Sequence, residues 1–282
     1  MQNALVLEHV SKRYKDFSLE DVSFTLPSGC IMGFIGENGA GKTTTIKLIL
    51  DLIRRDAGTI RIFGEECRKM GRDLKDSVGV VMDGCCFSEE LTGKHVGKIM
   101  GSLYRSWDQK KFEELLQKYH IDGSKIVKHY SRGMKMKLSM AAALAHDSRL
   151  LILDEATGGL DPMAREELLE DFQDFIQDEG HSIFISSHIT SDLEKICDYI
   201  TCIHNGKILF TEEKDVLLET YGIFHGTRRQ LEELDQDTVA GVREGAFGTE
   251  ALVKRNGIPA GMHLDPVNLE EIMLYYGREE RR

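Results

Sequence analysis

The sequence predicts an α/β fold built on a largely parallel sheet, with a short antiparallel sheet ahead of it. Three observations carry this. Residues 4–10 and 17–26 alternate apolar and polar side chains like two paired strands, broken near Tyr14 and ended at Pro27. Beyond them, short apolar runs alternate with helical stretches, the pattern of strands joined by crossover helices. Between the first such strand, 31–35, and a helix over 41–53 lies Gly36-Glu37-Asn38-Gly39-Ala40-Gly41-Lys42-Thr43, which fits G-x4-G-K-[ST].

The elements follow in order. The helix over 41–53 carries Ile46, Ile49, Leu50 and Ile53 on one face. A strand is expected at 78–81, then an irregular stretch and a helical block over roughly 91–146. Within that block Asp108 suits a helix cap, since Phe112, Leu115, Leu116 and Tyr119 follow at helical spacing. Another strand, 150–153, leads to Asp161, a cap with Pro162 at the first helical position and Leu168, Phe172, Phe175 and Ile176 on the buried face. Strands at 182–185, 199–203 and 207–210 follow, the last two flanking the hairpin signal Asn205-Gly206. From about residue 219 the pattern becomes glycine-dotted and short-period. It ends in a helix where Asn268 and Glu271 have capping-box spacing ahead of Ile272, Met273 and Tyr276. The organisation expected is one large unit over 1–218, with a helical subdomain at about 85–147, and a small α+β extension over 219–282.

Bulk properties narrow the function. A net charge of −11 argues against a general nucleic-acid binder. The cysteines at 30, 67, 85, 86, 197 and 202 form no zinc-type doublets, so reduced thiols of a cytosolic protein are expected. The most apolar runs fall far short of the ~20 residues that a membrane helix needs, so any membrane role is expected to pass through a partner.

The glycine-rich run has a direct physical reading. Glycines let backbone N–H groups curl toward phosphates, and the following helix start adds positive potential. Lys42 suits the β- and γ-phosphates, and the Thr43 hydroxyl suits Mg²⁺. With glycine near ~7% of residues, such a pattern arises by chance in roughly one chain in a hundred of this size. The strand–helix context lowers those odds, yet the loop alone leaves kinase, GTPase and ATPase open. Downstream, the apolar strand 150–153 ends in Asp154 and Glu155. Asp154 at the strand's C-terminal end can hold a magnesium hydration shell, while Glu155 can take a proton from an attacking water. His188, at the end of the next strand, can hold that water and Glu155 in place.

Together with Tyr130-Ser131-Arg132-Gly133-Met134, these residues resemble the ATP-binding cassette (ABC) ATPases over about residues 3 to 218. The resemblance implies a P-loop NTPase with a RecA-like core, an N-terminal antiparallel β subdomain and an inserted helical subdomain. Gly36, Glu37, Asn38, Gly39, Ala40, Gly41, Lys42, Thr43 and Thr44 match the Walker A loop. Asp154 and Glu155 match Walker B and the catalytic glutamate, and His188 the switch histidine. Gly158 to Asp161 resembles the D-loop, and Tyr14 the aromatic that stacks on adenine. Ser131 and Gly133 are retained from a signature segment that reads Leu-Ser-Gly-Gly-Gln in the family, while Arg132 and Met134 depart from it. The resemblance implies that Ser131 and Gly133 act in trans on ATP bound to a second protomer. The Q-loop glutamine falls at Asp83, which is expected to keep a magnesium role.

The implied function is the ATP- and Mg²⁺-dependent ATPase subunit of a membrane transporter, similar to ABC-2-type exporter ATPases. Its expected partners are a second ATPase protomer, a homodimer being favoured because one chain supplies both Glu155 and Ser131, and a separate transmembrane permease that would hold this cytoplasmic chain at the inner face of the cell membrane. A soluble ABC ATPase is the alternative, but such translation factors usually carry two cassettes, and DNA-repair relatives insert heptad-rich coiled coils. A GTPase would carry Asn-Lys-x-Asp, which does not occur.

Overall fold

The computed structural model describes residues 3–245, 248–259 and 262–279. Its strands are β1 (Asn3–Arg13), β2 (Ser18–Pro27), β3 (Ile31–Ile35), β4 (Ala57–Ile62), β5 (Glu65–Glu66), β6 (Val78–Val81), β7 (Leu150–Asp154), β8 (Ser182–Ser186), β9 (Tyr199–His204), β10 (Lys207–Glu213), β11 (Tyr221–Gly226), β12 (Val239–Gly245) and β13 (Gly248–Lys254). The helices are α1 (Lys42–Ile49), α2 (Arg72–Asp76), α3 (Gly93–Leu103), α4 (Gln109–Lys118), α5 (Arg132–Leu144), α6 (Pro162–Phe175), α7 (Thr190–Ile196), α8 (Lys214–Thr220), α9 (Arg228–Glu232) and α10 (Leu269–Glu279).

The central sheet runs β10-β9-β3-β8-β7-β6 and is parallel except for β10. Its inner strands are buried on both faces, which is why they read as continuous apolar runs. Alternation along each strand sorts the side chains. Met32, Phe34, Leu150, Ile152 and Phe184 face α1 and the N-terminal sheet. Ile31, Ile35, Leu151, Leu153, Ile183 and Ile185 face the helical subdomain, α6 and α7. The N-terminal sheet, β2-β1-β4-β5, is antiparallel and lies against the first face. Phe24 of β2 joins Phe34 and Phe184 in an aromatic cluster with ring centroids 5.3 to 5.6 Å apart.

The helical subdomain comprises α3, α4 and α5. It is tied to α6 through the buried Asp171, which pairs with Lys118 and accepts a 2.5 Å bond from the Tyr119 hydroxyl. Burial, helped by the adjacent carboxylate, pushes the Tyr119 hydroxyl far above its ordinary pKa and keeps it a donor. After β10 the chain forms a three-stranded antiparallel sheet, β11-β13-β12. Residues 218 and 219, where the sequence changes character, both lie within α8. Leu269, Ile272 and Tyr275 of α10 are buried in the same cluster as Leu193 and Ile196 of α7. The α1 helix is shorter than its periodicity suggests, because Leu50 closes it and Asp51 turns to φ 53°.

Candidate functional site

The glycine-rich run leaves β3 and enters α1 through positions that only glycine fits. Gly41 sits at φ 118°, and a Cβ there would lie 2.6 Å from Leu19 Cδ2. A Cβ on Gly36 would lie 2.3 Å from the Ile203 carbonyl oxygen. No side chain caps α1 at Gly41, so its first amides are left for an anion. Lys42 opens that helix and is buried; its Nζ donates to Gly36 O at 2.8 Å and Glu37 O at 3.4 Å, and lies 3.5 Å from Glu155 Oε1. Thr43, next along the helix, is exposed, and Ala40 is buried.

Asp154 ends β7 fully buried, on the face of the sheet that α1 covers. Ser186 Oγ donates to its Oδ1 at 2.6 Å, and its Oδ2 has no hydrogen-bond partner among the described residues. A buried carboxylate oxygen left bare is costly, and a hydrated cation would satisfy it. Asp154 and the exposed Thr43 hydroxyl therefore make a donor set that fits Mg²⁺.

Glu155 follows at φ 52°, its N–H donating to Ser186 O at 3.0 Å. That turn carries its carboxylate out of the strand's alternation and toward the next strand end. Its Oε2 lies 2.5 Å from His188 Nδ1 and accepts from the His188 N–H at 3.3 Å. Thus Lys42, Glu155 and His188 meet at the C-terminal edge of β3, β7 and β8, the edge where parallel sheets place ligands. They line a cleft of about 500 Å³ with Glu37, Asn38, Gly39, Gly41, Thr43 and Thr44.

Other expected residues lie elsewhere. Tyr14 is not in the lining; it is 45% exposed with Lys12 Nζ 5.5 Å from its ring centre, and Phe17 lines the cleft instead. The reason is the turn between β1 and β2, where Tyr14 N–H bonds to Phe17 O and the chain reverses. Asp161 is also outside the lining: it caps α6, accepting from Met163 N at 3.1 Å and Ala164 N at 3.0 Å, with the Ala164 amide the main reason its carboxyl sits below the usual range. Ser131 caps α5, accepting from Met134 N at 3.2 Å, and is exposed. A Cβ on Gly133 would come within 3.3 Å of Leu160 Cδ2, so this segment rests on the turn after Glu155. Asp83 does line the cleft, but its Oδ1 is held by Arg132 Nη2 at 3.1 Å. Arg132 lines the cleft as well, a position that the sequence marks only as a departure from a consensus.

A family profile described as "ABC transporter" matches residues 19–158. The chain is 34% identical over 214 residues to the bacitracin transport ATP-binding protein BcrA of Enterococcus faecalis, covering 74% of this chain and 69% of that one. The chain belongs to the ABC transporter ATP-binding family. A longer match reaches into the C-terminal region. The ABC transporter ATP-binding protein YtrB of Bacillus subtilis (strain 168) is 30% identical over 274 residues, 91% of each chain. Among solved structures, an ATP-binding subunit of an ABC transporter superimposes with a TM-score of 0.70 at 28% identity, covering 81% of this chain and 93% of that one. This ABC subunit is an ATPase that binds nucleotide and serves a transporter.

Proposed function

We propose that this ATPase works as one half of an ATP-closed homodimer that drives a separate membrane-spanning subunit, with Mg²⁺ and ATP in the cleft around Lys42. The observation carrying this reading is the meeting of Lys42, Glu155 and His188 beside a buried Asp154 oxygen that lacks a hydrogen-bond partner among the described residues. Thr43 and Asp154 would hold the magnesium, which when bound neutralises charge on the phosphates. The α1 amides and Lys42 bind the phosphates. Phe17 supports the base end of the cleft, in the role the sequence suggested for Tyr14. Glu155 takes a proton from the attacking water as its oxygen bonds to the γ-phosphorus, and the bond to the β–γ bridging oxygen breaks to release ADP and phosphate. His188 orients Glu155.

The second protomer is inferred from Ser131 and Gly133. With the Met134 amide taken by the Ser131 cap, the exposed start of α5 leaves the Arg132 and Gly133 amides for an anion, and a second chain's γ-phosphate would complete it. Since each chain carries both half-sites, two copies suffice. Asp161 contributes by fixing the start of α6 beside that interface.

Beside the cleft, a groove of about 570 Å³ is lined in part by Cys85, Phe87, Tyr130 and Met136. It offers apolar surface for a helix of the permease, and no helix among the described residues is long and apolar enough to cross a membrane itself. Docked on that permease, the protein would sit in the cytoplasm against the inner face of the membrane. An ABC-2-type exporter is the favoured assembly, residues 219–282 being a small added unit, and bacitracin is a first cargo to test.

The test is direct. Glu155→Gln should sediment as a dimer with ATP and Mg²⁺ and as a monomer with ADP. The wild-type chain, tagged in its native membrane, should bring down a polytopic protein, and Phe87→Glu should lose it. A soluble partner instead of a membrane one would reverse the transporter reading.

A further inference from the structure

We propose that Arg132 is a phosphate-binding cation of its own chain's nucleotide site, held over the cleft by Asp83 until the terminal phosphate of ATP draws it away. The inference rests on the cleft being the nucleotide site.

The geometry begins with α5. The Ser131 cap fixes the helix start, so Arg132, its first residue, projects from a determined backbone position. Its side chain lies across the turn that follows Glu155. Gly159, at φ 75°, has no Cβ, and one built there would meet Arg132 Cδ, Nε and Cζ at 3.2 Å each. Gly158, the neighbouring residue, donates its N–H to Glu155 O at 3.0 Å. The guanidinium is thereby laid over the end of the cleft that holds Glu155 and His188, the end where the terminal phosphate reacts. From there Arg132 Nη2 reaches Asp83 Oδ1 at 3.1 Å, across the space between the helical subdomain and the end of β6.

Charge in the cleft gives the pair its purpose. The acids among its lining residues are Glu37, Asp83 and Glu155; the permanent cations are Lys42 and Arg132, with His188 beside them. Lys42 is committed to two loop carbonyls and lies near Glu155, so it alone does not balance a triphosphate. Arg132 is the less committed cation: its side chain is 62% exposed and Asp83's is 53% exposed. A pair so exposed is weakly held, and a phosphate offers a guanidinium a stronger bidentate partner. Asp83 and the γ-phosphate therefore compete for one group. When ATP wins, the Arg132–Asp83 ion pair is broken, while the apolar packing of α5 against β6 through Val81, Met136 and Met140 stays in place. Successive residues at the start of α5 then serve two sites, Ser131 the partner's and Arg132 its own. Asp83, on this reading, acts on arginine and not on magnesium.

The experiment titrates a fluorescent ATP analogue and its ADP counterpart into the full chain, at concentrations where it sediments as a monomer. Arg132→Gln should weaken the ATP analogue about tenfold and the ADP analogue less than about twofold, the loss of one charged hydrogen bond to a terminal phosphate. Asp83→Asn should tighten the ATP analogue roughly two- to fivefold, as expected for freeing an exposed pair. In the double variant the Asp83→Asn gain should vanish, and the Mg²⁺ concentration for half-maximal hydrolysis should not move in Asp83→Asn. Unchanged ATP affinity in Arg132→Gln overturns the proposal. So does a gain from Asp83→Asn that persists without Arg132, which is plain repulsion, or a loss joined to a higher Mg²⁺ demand, which makes Asp83 a metal ligand. If Lys42→Ala binds as well as wild type, the cleft reading itself fails.

Discussion

At the scale of single residues, Glu155 is where backbone conformation becomes chemistry. Its φ of 52° costs strain for a residue with a Cβ, and its N–H, shared between Ser186 O and Oγ, together with the contact to His188 offsets it. The conformation brings the carboxylate within reach of His188 and Lys42 together. Glu155→Gln is expected to keep ATP binding while lowering the hydrolytic rate by ~10²- to 10⁴-fold, the range for losing a positioned base. Phosphate release at saturating ATP measures this; a rate within a factor of two of wild type would remove Glu155 from the role. Glu155 and His188 were legible because each follows an apolar run, and Lys42 because it closes the glycine-rich motif. Phe17 and Arg132 were not, since their importance lies in neighbours distant in sequence.

Among elements, the caps show why some features can be read locally. Asp108, Asp161 and the Asn268–Glu271 box all make their expected bonds, because donor and acceptor lie within one helical turn. The hairpin at Asn205-Gly206 likewise takes positive φ at both residues. By contrast β4 and β5 escaped notice: they are half exposed and short, and β4 owes its place to pairing with β1, some fifty residues earlier. A second element-level feature is the joint after α5, where buried His146 stacks on Tyr104 at 4.1 Å and bonds through Nδ1 to Asp76 O at 2.8 Å. Its Nε2 is buried without a hydrogen-bond partner among the described residues. Burial lowers its pKa below the ordinary 6.5. The unfolded chain thus takes up this proton first, so the contribution of neutral His146 is intact above pH 6.5 and is lost as pH falls through the depressed folded value. Melting temperatures from pH 7 down to 5 should fall more steeply in wild type than in His146→Phe. Parallel curves would refute that role.

For the whole molecule, the question is whether the C-terminal sheet and α10 fold with the ATPase core. Ile272 is fully buried, and the Leu269 amide donates to Glu194 Oε2 of α7 at 3.2 Å. One apolar cluster runs from the helical subdomain through α7 to α10. Ile272→Ala should cost ~2–5 kcal/mol and shift a single calorimetric transition. A separate early transition, with the remainder unmoved, would make the extension an independent unit.

The sequence by itself determined the sheet's parallel character, the phosphate loop, the Asp154–Glu155 and His188 strand ends, and the helix caps, because each depends on periodicity or on bonds within a few residues. Only the tertiary structure decided that Phe17 lines the cleft in place of Tyr14, that Asp154 keeps one oxygen without a partner among the described residues, and that Asp83 is bound by Arg132. Those facts turn on side chains from distant segments competing for the same few ångströms of space, and pairings of that kind are settled by packing, which no local pattern encodes.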